Sequence, residues 1–144
     1  MFRSLRNQKK AISEESAKTL LKEAPRAILS VNGDDGYPYA VPVNYLYDED
    51  KNRIYFHSLK GGYKVECMDK SDKVCFTACG KEMIKEEAWA PFVQSVVVFG
   101  RCHPIEDRET MFEVLRDFAM KYYPNEELVH REIKATGHAV QMYE

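Results

Sequence analysis

The stretch at residues 37–47, YPYAVPVNYLY, has the pattern of a long β-strand interrupted by prolines. Aromatic and branched residues alternate with small or polar ones, which is the period of two expected of a strand with two unlike faces. Pro38 and Pro42 lie on the same face, and neither has an amide hydrogen to donate to a neighbouring strand. The strand therefore cannot be a fully paired interior strand, and we expect part of its backbone to be free for another partner.

The flanking segments predict an antiparallel β-structure with helices attached. Ser13 predicts a helix cap, and the helix that follows should run from about Glu14 to Glu23 and end before Pro25. A longer helix is expected over about residues 107–123, ended by Pro124. The other expected elements are strands at residues 26–32, 53–59, 72–79 and 94–106, a short helix at 62–70, a polar stretch after Pro124, and a last strand at 138–144.

Hairpin connections dominate this order, so we predict a mainly β (α+β) fold, a six-stranded antiparallel barrel with peripheral helices. A parallel doubly wound sheet is disfavoured because strands and long helices do not alternate one for one, and no Gly-x-Gly-x-x-Gly or Walker loop occurs in the sequence. At 144 residues the chain has the size of one domain, residues 1–144.

Composition excludes several classes of partner. Lys and Arg number 21 and Asp and Glu number 23, so the net charge of −2 provides no field that would attract nucleic acid or an anionic membrane. No apolar run reaches membrane-spanning length and the opening residues lack a signal-peptide core, so a cytoplasmic protein is expected.

The cysteine spacing favours a structural role for the thiols. A reducing compartment makes free thiols the expectation for Cys67, Cys75, Cys79 and Cys102. Cys75 and Cys79 are four residues apart, which puts them on one face of a strand and does not match a zinc or redox Cys-x-x-Cys motif. We interpret them as buried structural cysteines and predict no metal site.

The segment IYFHSLKGGYK, residues 54–64, indicates an anion-binding corner. His57 and Ser58 come at the end of a predicted strand, two glycines allow a tight turn, and a helix then begins beside Lys64. A helix N-terminus offers free amides to an anion, and the three side chains add a ring N–H, a hydroxyl and a positive charge. The alternative is an ordinary capped corner with a solvent-facing lysine.

Pro42 and Asn44 add a second clue, since unpaired backbone near them could meet a flat heterocycle. The alternative there is a strand edge with an exposed asparagine.

No catalytic group is predicted. The sequence has neither a Gly-x-Ser-x-Gly elbow nor a His-Glu-x-x-His motif, and its four histidines are scattered. Trp89 and Phe92 are best interpreted as core or interface packing.

Four segments in order, DDGYPYAVPVNYLYD, IYFHSLKGGYK, DKVCFT and SVVVFGRCHPIED, resemble the flavin-binding split-barrel superfamily that contains pyridoxamine 5′-phosphate oxidase. Within that superfamily the sequence is most similar to the branch of the nitroimidazole-resistance (Nim) reductases. The resemblance covers nearly the whole chain and weakens after about Tyr123.

The resemblance implies a six-stranded FMN-binding split barrel and a homodimer with flavin at the subunit interface. It implies FMN as the cofactor, with FAD as the alternative. The flavin ring would contact the backbone of the segment formed by Pro42, Val43, Asn44 and Tyr45, and the phosphate would lie at His57, Ser58 and Lys64. Ser95 and Val96 would approach the ring or phosphate from the same chain or from the partner chain.

The function implied is a flavin-dependent oxidoreductase that uses NAD(P)H to reduce a small aromatic acceptor such as a nitroaromatic compound. The flavin would supply the redox chemistry, which agrees with the lack of a catalytic constellation. The alternative is a non-catalytic flavin- or haem-binding protein on the same fold. Oxidation of pyridoxamine phosphate ranks third, because no basic cluster beyond Lys64 would hold that substrate's own phosphate.

Overall fold

A computed structural model of the protein describes residues 2–84, 86–87 and 91–144. Trp89, predicted above to be a packing residue, lies outside the described residues. The helices and strands are, in chain order, α1 Glu14–Glu23, β1 Ala27–Asn32, β2 Pro38–Val43, β3 Tyr45–Asp48, β4 Arg53–Leu59, α2 Tyr63–Lys70, β5 Lys73–Cys79, β6 Ser95–Arg101, α3 Arg108–Tyr122, α4 Glu126–Thr136 and β7 Val140–Tyr143.

The strands form two antiparallel sheets. The larger has the order β2-β1-β5-β6 and the smaller has the order β3-β4-β7. Every strand pairing is antiparallel, so the prediction of a mainly antiparallel β-structure with helices attached is confirmed. Among the described residues every helix is too short or too polar to span a lipid bilayer.

The long second strand predicted from the sequence is two strands. Residues of β2 pair with β1 in the larger sheet, whereas Tyr45 and the rest of β3 pair with β4 in the smaller one. Asn44 is the single residue between them, and this division raises the number of described strands from the predicted six to seven. The prediction that the two prolines mark an incompletely paired strand is confirmed, because β2 is an edge strand.

The polar stretch after Pro124 contains a helix that the sequence prediction missed. Asn125 caps α4, and its side-chain oxygen accepts a hydrogen bond of 3.1 Å from the amide of Leu128. Val129 is buried, and Ile133 is half-buried and packs against the cluster that includes Leu115 and Phe118 of α3, so tertiary contacts complete a helix whose own sequence is mostly polar.

The other helices begin and end close to the predicted residues. Helix α1 spans the predicted range, and Ser13 accepts a hydrogen bond of 3.1 Å from the amide of Ser16. Helix α3 is capped by Asp107, which accepts a hydrogen bond of 2.8 Å from the amide of Thr110.

The core has two parts. The larger lies between the two sheets and is centred on Tyr45 and Leu29, whose exposed fractions are 0% and 1%. The smaller lies beneath α3 and is centred on Met142, which is fully buried beside Phe118.

The prediction that the cysteines of the fourth predicted strand are buried is wrong for Cys79. All four cysteines are free thiols, but only Cys67 and Cys102 are buried. Cys75 is half-buried and Cys79 is exposed, and both side chains lie on the outer face of the larger sheet, where Phe2 stacks on Phe99 with ring centroids 4.8 Å apart. Within the described ranges no group of three or more His, Cys, Asp or Glu side chains is placed to hold a metal ion.

Phe92 is not a core residue of this chain. It forms an isolated antiparallel bridge with Met83, with backbone hydrogen bonds of 2.7 and 2.8 Å, and its side chain is 47% exposed. Packing at an interface between chains stays a prediction for this residue.

Candidate functional site

A cleft of about 610 Å³ brings together six of the nine predicted site residues. The cleft lies where the ends of β2 and β4 meet the start of α2. The predicted residues that line it are Pro42, Val43, Asn44, His57, Ser58 and Lys64.

The start of α2 forms one wall of the cleft. Gly62 precedes the helix with φ 109° and ψ 166°, a conformation essentially restricted to glycine, and no side chain caps the helix. The first-turn amides of α2 therefore have no side-chain acceptor and are available to an anion. No protein atom lies within 4 Å of the position that a Cβ would take at Gly61 or Gly62, so the approach to these amides is open.

Lys64 places a positive charge in the same cleft. Burial lowers the pKa of its ammonium group below the ordinary 10.5. Its Nζ lies 5.9 Å from the centroid of the Phe56 ring, and none of the ion pairs within the described part of the chain involves Lys64. A half-buried cation without a carboxylate partner is suited to bind an anionic ligand.

His57 and Ser58 add hydrogen-bonding groups to the cleft. Ser58 is buried, with 9% exposure, and its hydroxyl makes no hydrogen bond to any described residue. The His57 ring stacks edge-on against Phe118 with centroids 4.9 Å apart. Burial of the ring, and secondarily the charge of Lys64, lowers the pKa of His57 from its ordinary 6.5, which favours the neutral form of the ring.

The backbone of β2 forms the opposite wall. Among the strands that the structure describes, β2 is an edge strand that pairs with β1 alone, so half of its peptide groups face away from the sheet. Asn44 belongs to neither sheet, and its side chain is half-buried without a hydrogen bond to any described residue. Free backbone beside a free amide side chain matches what the prolines predicted, and such groups can bind the polar edge of a planar ring.

Tyr45, although predicted, does not line the cleft. Its side chain is fully buried in the core and meets Phe76 edge-on at 4.9 Å. Its hydroxyl is buried without a hydrogen bond among the described residues, and burial raises its pKa to about 12.

The backbone of Tyr45 is held by two residues that the sequence did not reveal. The amide of Tyr45 donates to the Tyr122 hydroxyl at 2.8 Å, and that hydroxyl also lies 2.8 Å from the Tyr45 carbonyl oxygen and 2.7 Å from that of Pro25. The ammonium of Lys121 donates to the carbonyl oxygens of Tyr45 at 2.9 Å and Ala24 at 3.2 Å. The end of α3 thus holds the chain segment that follows Asn44.

Ser95 and Val96 also do not line the cleft of their own chain. They lie at the start of β6, at the far edge of the larger sheet from β2. Three strand spacings separate these edges, or roughly 14 Å.

The fold and cleft define a class of protein, an α+β domain of two antiparallel sheets with a cleft between the ends of β2 and β4 and the start of α2. A profile of the family described as Pyridoxamine 5′-phosphate oxidase matches residues 13–142. The chain therefore belongs to this family, and the resemblance seen in the sequence is confirmed. No curated protein sequence matches the chain.

Several solved structures share the fold at low sequence identity. A candidate 5-nitroimidazole antibiotic resistance protein from Bacteroides thetaiotaomicron is 20% identical with a TM-score of 0.75, over 91% of this chain and 77% of that one. An FAD-binding protein from Mesorhizobium loti is 21% identical with a TM-score of 0.62, over 92% and 87%. An FAD- and haem-binding protein from Mycobacterium smegmatis is 16% identical with a TM-score of 0.69, over 92% and 65%. At these identities the likeness shows the fold alone.

Proposed function

We propose that the protein is a flavin-dependent oxidoreductase that uses NAD(P)H to reduce a small aromatic acceptor such as a nitroaromatic compound. The observation that carries the proposal is the meeting of Ser58, Lys64 and the uncapped start of α2 in one cleft beside the free edge of β2. Family membership and the names of two structural neighbours, both described as FAD-binding, support flavin as the ligand.

The residues of the cleft fit a flavin in two parts. Lys64, Ser58 and the first-turn amides of α2 would hold the phosphate. Free peptide groups of the segment formed by Pro42, Val43 and Asn44 would bind the ring. FMN is the proposed form and FAD the alternative. Bound there, a flavin would supply hydride transfer, and the protein would orient it and exclude water.

A homodimer is part of this proposal. On the outer face of the larger sheet the strand register aligns Pro42, Ile28, Thr77 and Val97 in one row. Ile28, Val97 and Phe99 on this face are 41%, 53% and 53% exposed. Since Pro42 belongs both to this face and to the cleft, a second copy packed here would close the cleft and bring Ser95 and Val96 toward it. In this arrangement β2 and β3 act as one bent strand, which makes six strands of a split barrel.

The family name does not decide the substrate. Of the described residues that line the cleft, Lys64 is the one lysine or arginine. One cation suits one phosphate group, so the cleft has no second site for the phosphate of pyridoxamine phosphate.

A non-catalytic flavin- or haem-binding protein is the second candidate. It is favoured by the structural neighbour described as binding FAD and haem, and by a cleft whose titratable side chains are His57, Tyr39, Tyr63 and Lys64, without a carboxylate.

Spectroscopy and anaerobic reduction test these functions. The purified protein should carry or take up FMN or FAD, identified by absorption spectrum and mass. NADH or NADPH should then bleach the bound flavin, and a nitroimidazole should restore its colour over many turnovers. A colourless protein that binds neither flavin nor added haem would contradict both candidates, whereas flavin or haem binding without reduction of a bound flavin by either nucleotide would select the second.

A further inference from the structure

A second cavity of about 610 Å³ lies between α3, α4 and the end of β4. Its volume is within the range of small-molecule sites, about 300–1,000 Å³. It lies behind the cleft described above, and the two share Asn44, His57 and Val140 as lining residues. These residues form a common wall between the cavities.

The cavity is mostly apolar and has no net charge at its mouth. Leu115, Phe118 and Val129 line it with exposures of 8%, 6% and 4%. Arg131 and Glu132 are both exposed at its edge, and their opposite charges favour neither an anion nor a cation. An uncharged apolar or aromatic molecule suits such walls.

Two hydrogen-bonding side chains without protein partners lie on the common wall. Neither the Asn44 amide nor the His57 ring nitrogens have a hydrogen bond to any described residue, whereas the hydroxyl of Thr136 is already bonded to the carbonyl oxygen of Glu132 at 3.0 Å. The Asn44 amide and a neutral His57 ring each offer an N–H donor. A ligand with one hydrogen-bond acceptor, such as a nitro or carbonyl oxygen, would satisfy them.

We propose that this cavity between α3 and α4 binds an uncharged aromatic molecule and directs its hydrogen-bond acceptor toward Asn44 and His57. The inference deepens the proposed function and rests on it for one point, namely that the bound molecule is the compound that the flavin reduces. The polar end of this molecule would meet the wall that the cavity shares with the flavin cleft. The cavity itself exists in the chain without flavin, so its occupancy is measurable separately.

Binding of N-phenyl-1-naphthylamine tests the proposal. This uncharged fluorescent molecule brightens in apolar sites, and we expect flavin-free protein to bind it at one site per chain. Ala119→Trp places a ring in the cavity, since Ala119 lines it, and should weaken binding about tenfold or more by removing apolar contact. Ala135→Trp is the matched control, because Ala135 is exposed on α4 and does not line the cavity.

A second variant guards against misfolding of the first. Thr136 is exposed at the cavity mouth, so Thr136→Trp should block entry without disturbing the core. Both blocking variants should keep the FMN affinity of the original protein, and in flavin-loaded protein they should raise KM for a nitrobenzene substrate more than they lower kcat.

Three results would overturn the proposal. The first is unchanged naphthylamine binding in folded Ala119→Trp and Thr136→Trp. The second is one-for-one displacement of the naphthylamine by FMN, which would place the probe in the cleft. The third is absence of binding to the original protein. Failure of the proposed function alone would give a different result. The naphthylamine would bind at the cavity, but neither FMN nor FAD would bind to the protein.

Discussion

Lys64 and Ser58 should contribute unequally to flavin affinity. Lys64→Met removes a charged donor from the cleft, so FMN should bind about tenfold or more weakly, whereas Ser58→Ala removes a neutral hydrogen bond of about 1 kcal/mol. Titration of flavin-free protein, monitored by flavin fluorescence, measures both effects. Lys60→Met is the control, because Lys60 is exposed in the same stretch but does not line the cleft. Unchanged affinity in both cleft variants would move the phosphate elsewhere.

Lys121 should make stability depend on pH in the alkaline range. Burial lowers the pKa of its ammonium group from 10.5 to about 8, so between these values the unfolded chain binds more protons at this position than the folded chain. The contribution of Lys121 to the free energy of unfolding is therefore greatest above pH 10.5 and is lost as the pH falls toward 8.

A comparison with Lys121→Met isolates this contribution from those of other groups that titrate nearby. Urea unfolding at several pH values should show the variant becoming less stable relative to the original protein as the pH rises from 8 to 10.5. A difference that stays constant over this range would show that Lys121 keeps an ordinary pKa.

The residues of the cleft were predictable from sequence to the extent that they are local. His57, Ser58 and Lys64 lie within eight positions of one another, and the strand, glycine pair and helix start can be identified from that stretch alone. Lys121 and Tyr122 could not be predicted, because they reach Tyr45 from 76 and 77 positions away. A lysine and tyrosine at the end of an amphipathic helix carry no signal of which peptide group they will meet.

At the scale of elements, the start of α2 depends on Gly62. Alanine at this position should destabilise the protein by about 1–3 kcal/mol, because the φ of 109° is strained for any residue with a Cβ. Flavin should also bind more weakly to Gly62→Ala, since relief of the strain would move the first-turn amides of α2.

Gly61→Ala is the matched control for this substitution. A Cβ at Gly61 would meet no atom within 4 Å, and Gly61 does not have a positive φ. The stability of the Gly61→Ala variant should therefore stay close to that of the original protein. Thermal unfolding of the two variants, followed by circular dichroism, makes the comparison. Equal melting temperatures would show that the turn adapts without cost.

Sequence patterns predicted elements where local signals were complete. Helix α1 has its cap, acidic first turn and terminating proline within the sequence, and the structure matches the predicted range. Helix α4 also has a cap in Asn125, but few of its residues are apolar, so packing on α3 decides its formation. Residues 37–47 are divided at Asn44 because β2 pairs with β1 in one sheet and β3 pairs with β4 in the other. The period of two in the sequence is the same on both sides of Asn44, so it does not predict this change of sheet.

At the scale of the whole molecule, the outer face of the larger sheet should control assembly. Ile28→Lys puts a charge in the central row of this face, and burial of an unpaired charge between two copies would be costly. Light scattering should show the mass falling from twice 16.7 kDa to 16.7 kDa, with a loss of bound flavin.

Leu128→Lys is the control for the assembly experiment. Leu128 lies on α4, away from the sheet, and its exposure of 42% is close to the 41% of Ile28. The mass of this variant should match that of the original protein. Assembly would have to use another surface if Ile28→Lys stayed dimeric.

Because Asn44 is the single residue that links β2 of one sheet to β3 of the other, binding of the proposed ligand there should stabilise the folded chain. The chain passes from the larger sheet to the smaller one through this residue, so a molecule bound to Asn44 and its neighbours would contact the junction of the two sheets and should dissociate when either unfolds. A ligand that binds only the folded chain adds about 2.7 kcal/mol to the free energy of unfolding when its concentration is 100 times Kd. Cells supplied with riboflavin should accordingly accumulate more of this protein than cells starved of it.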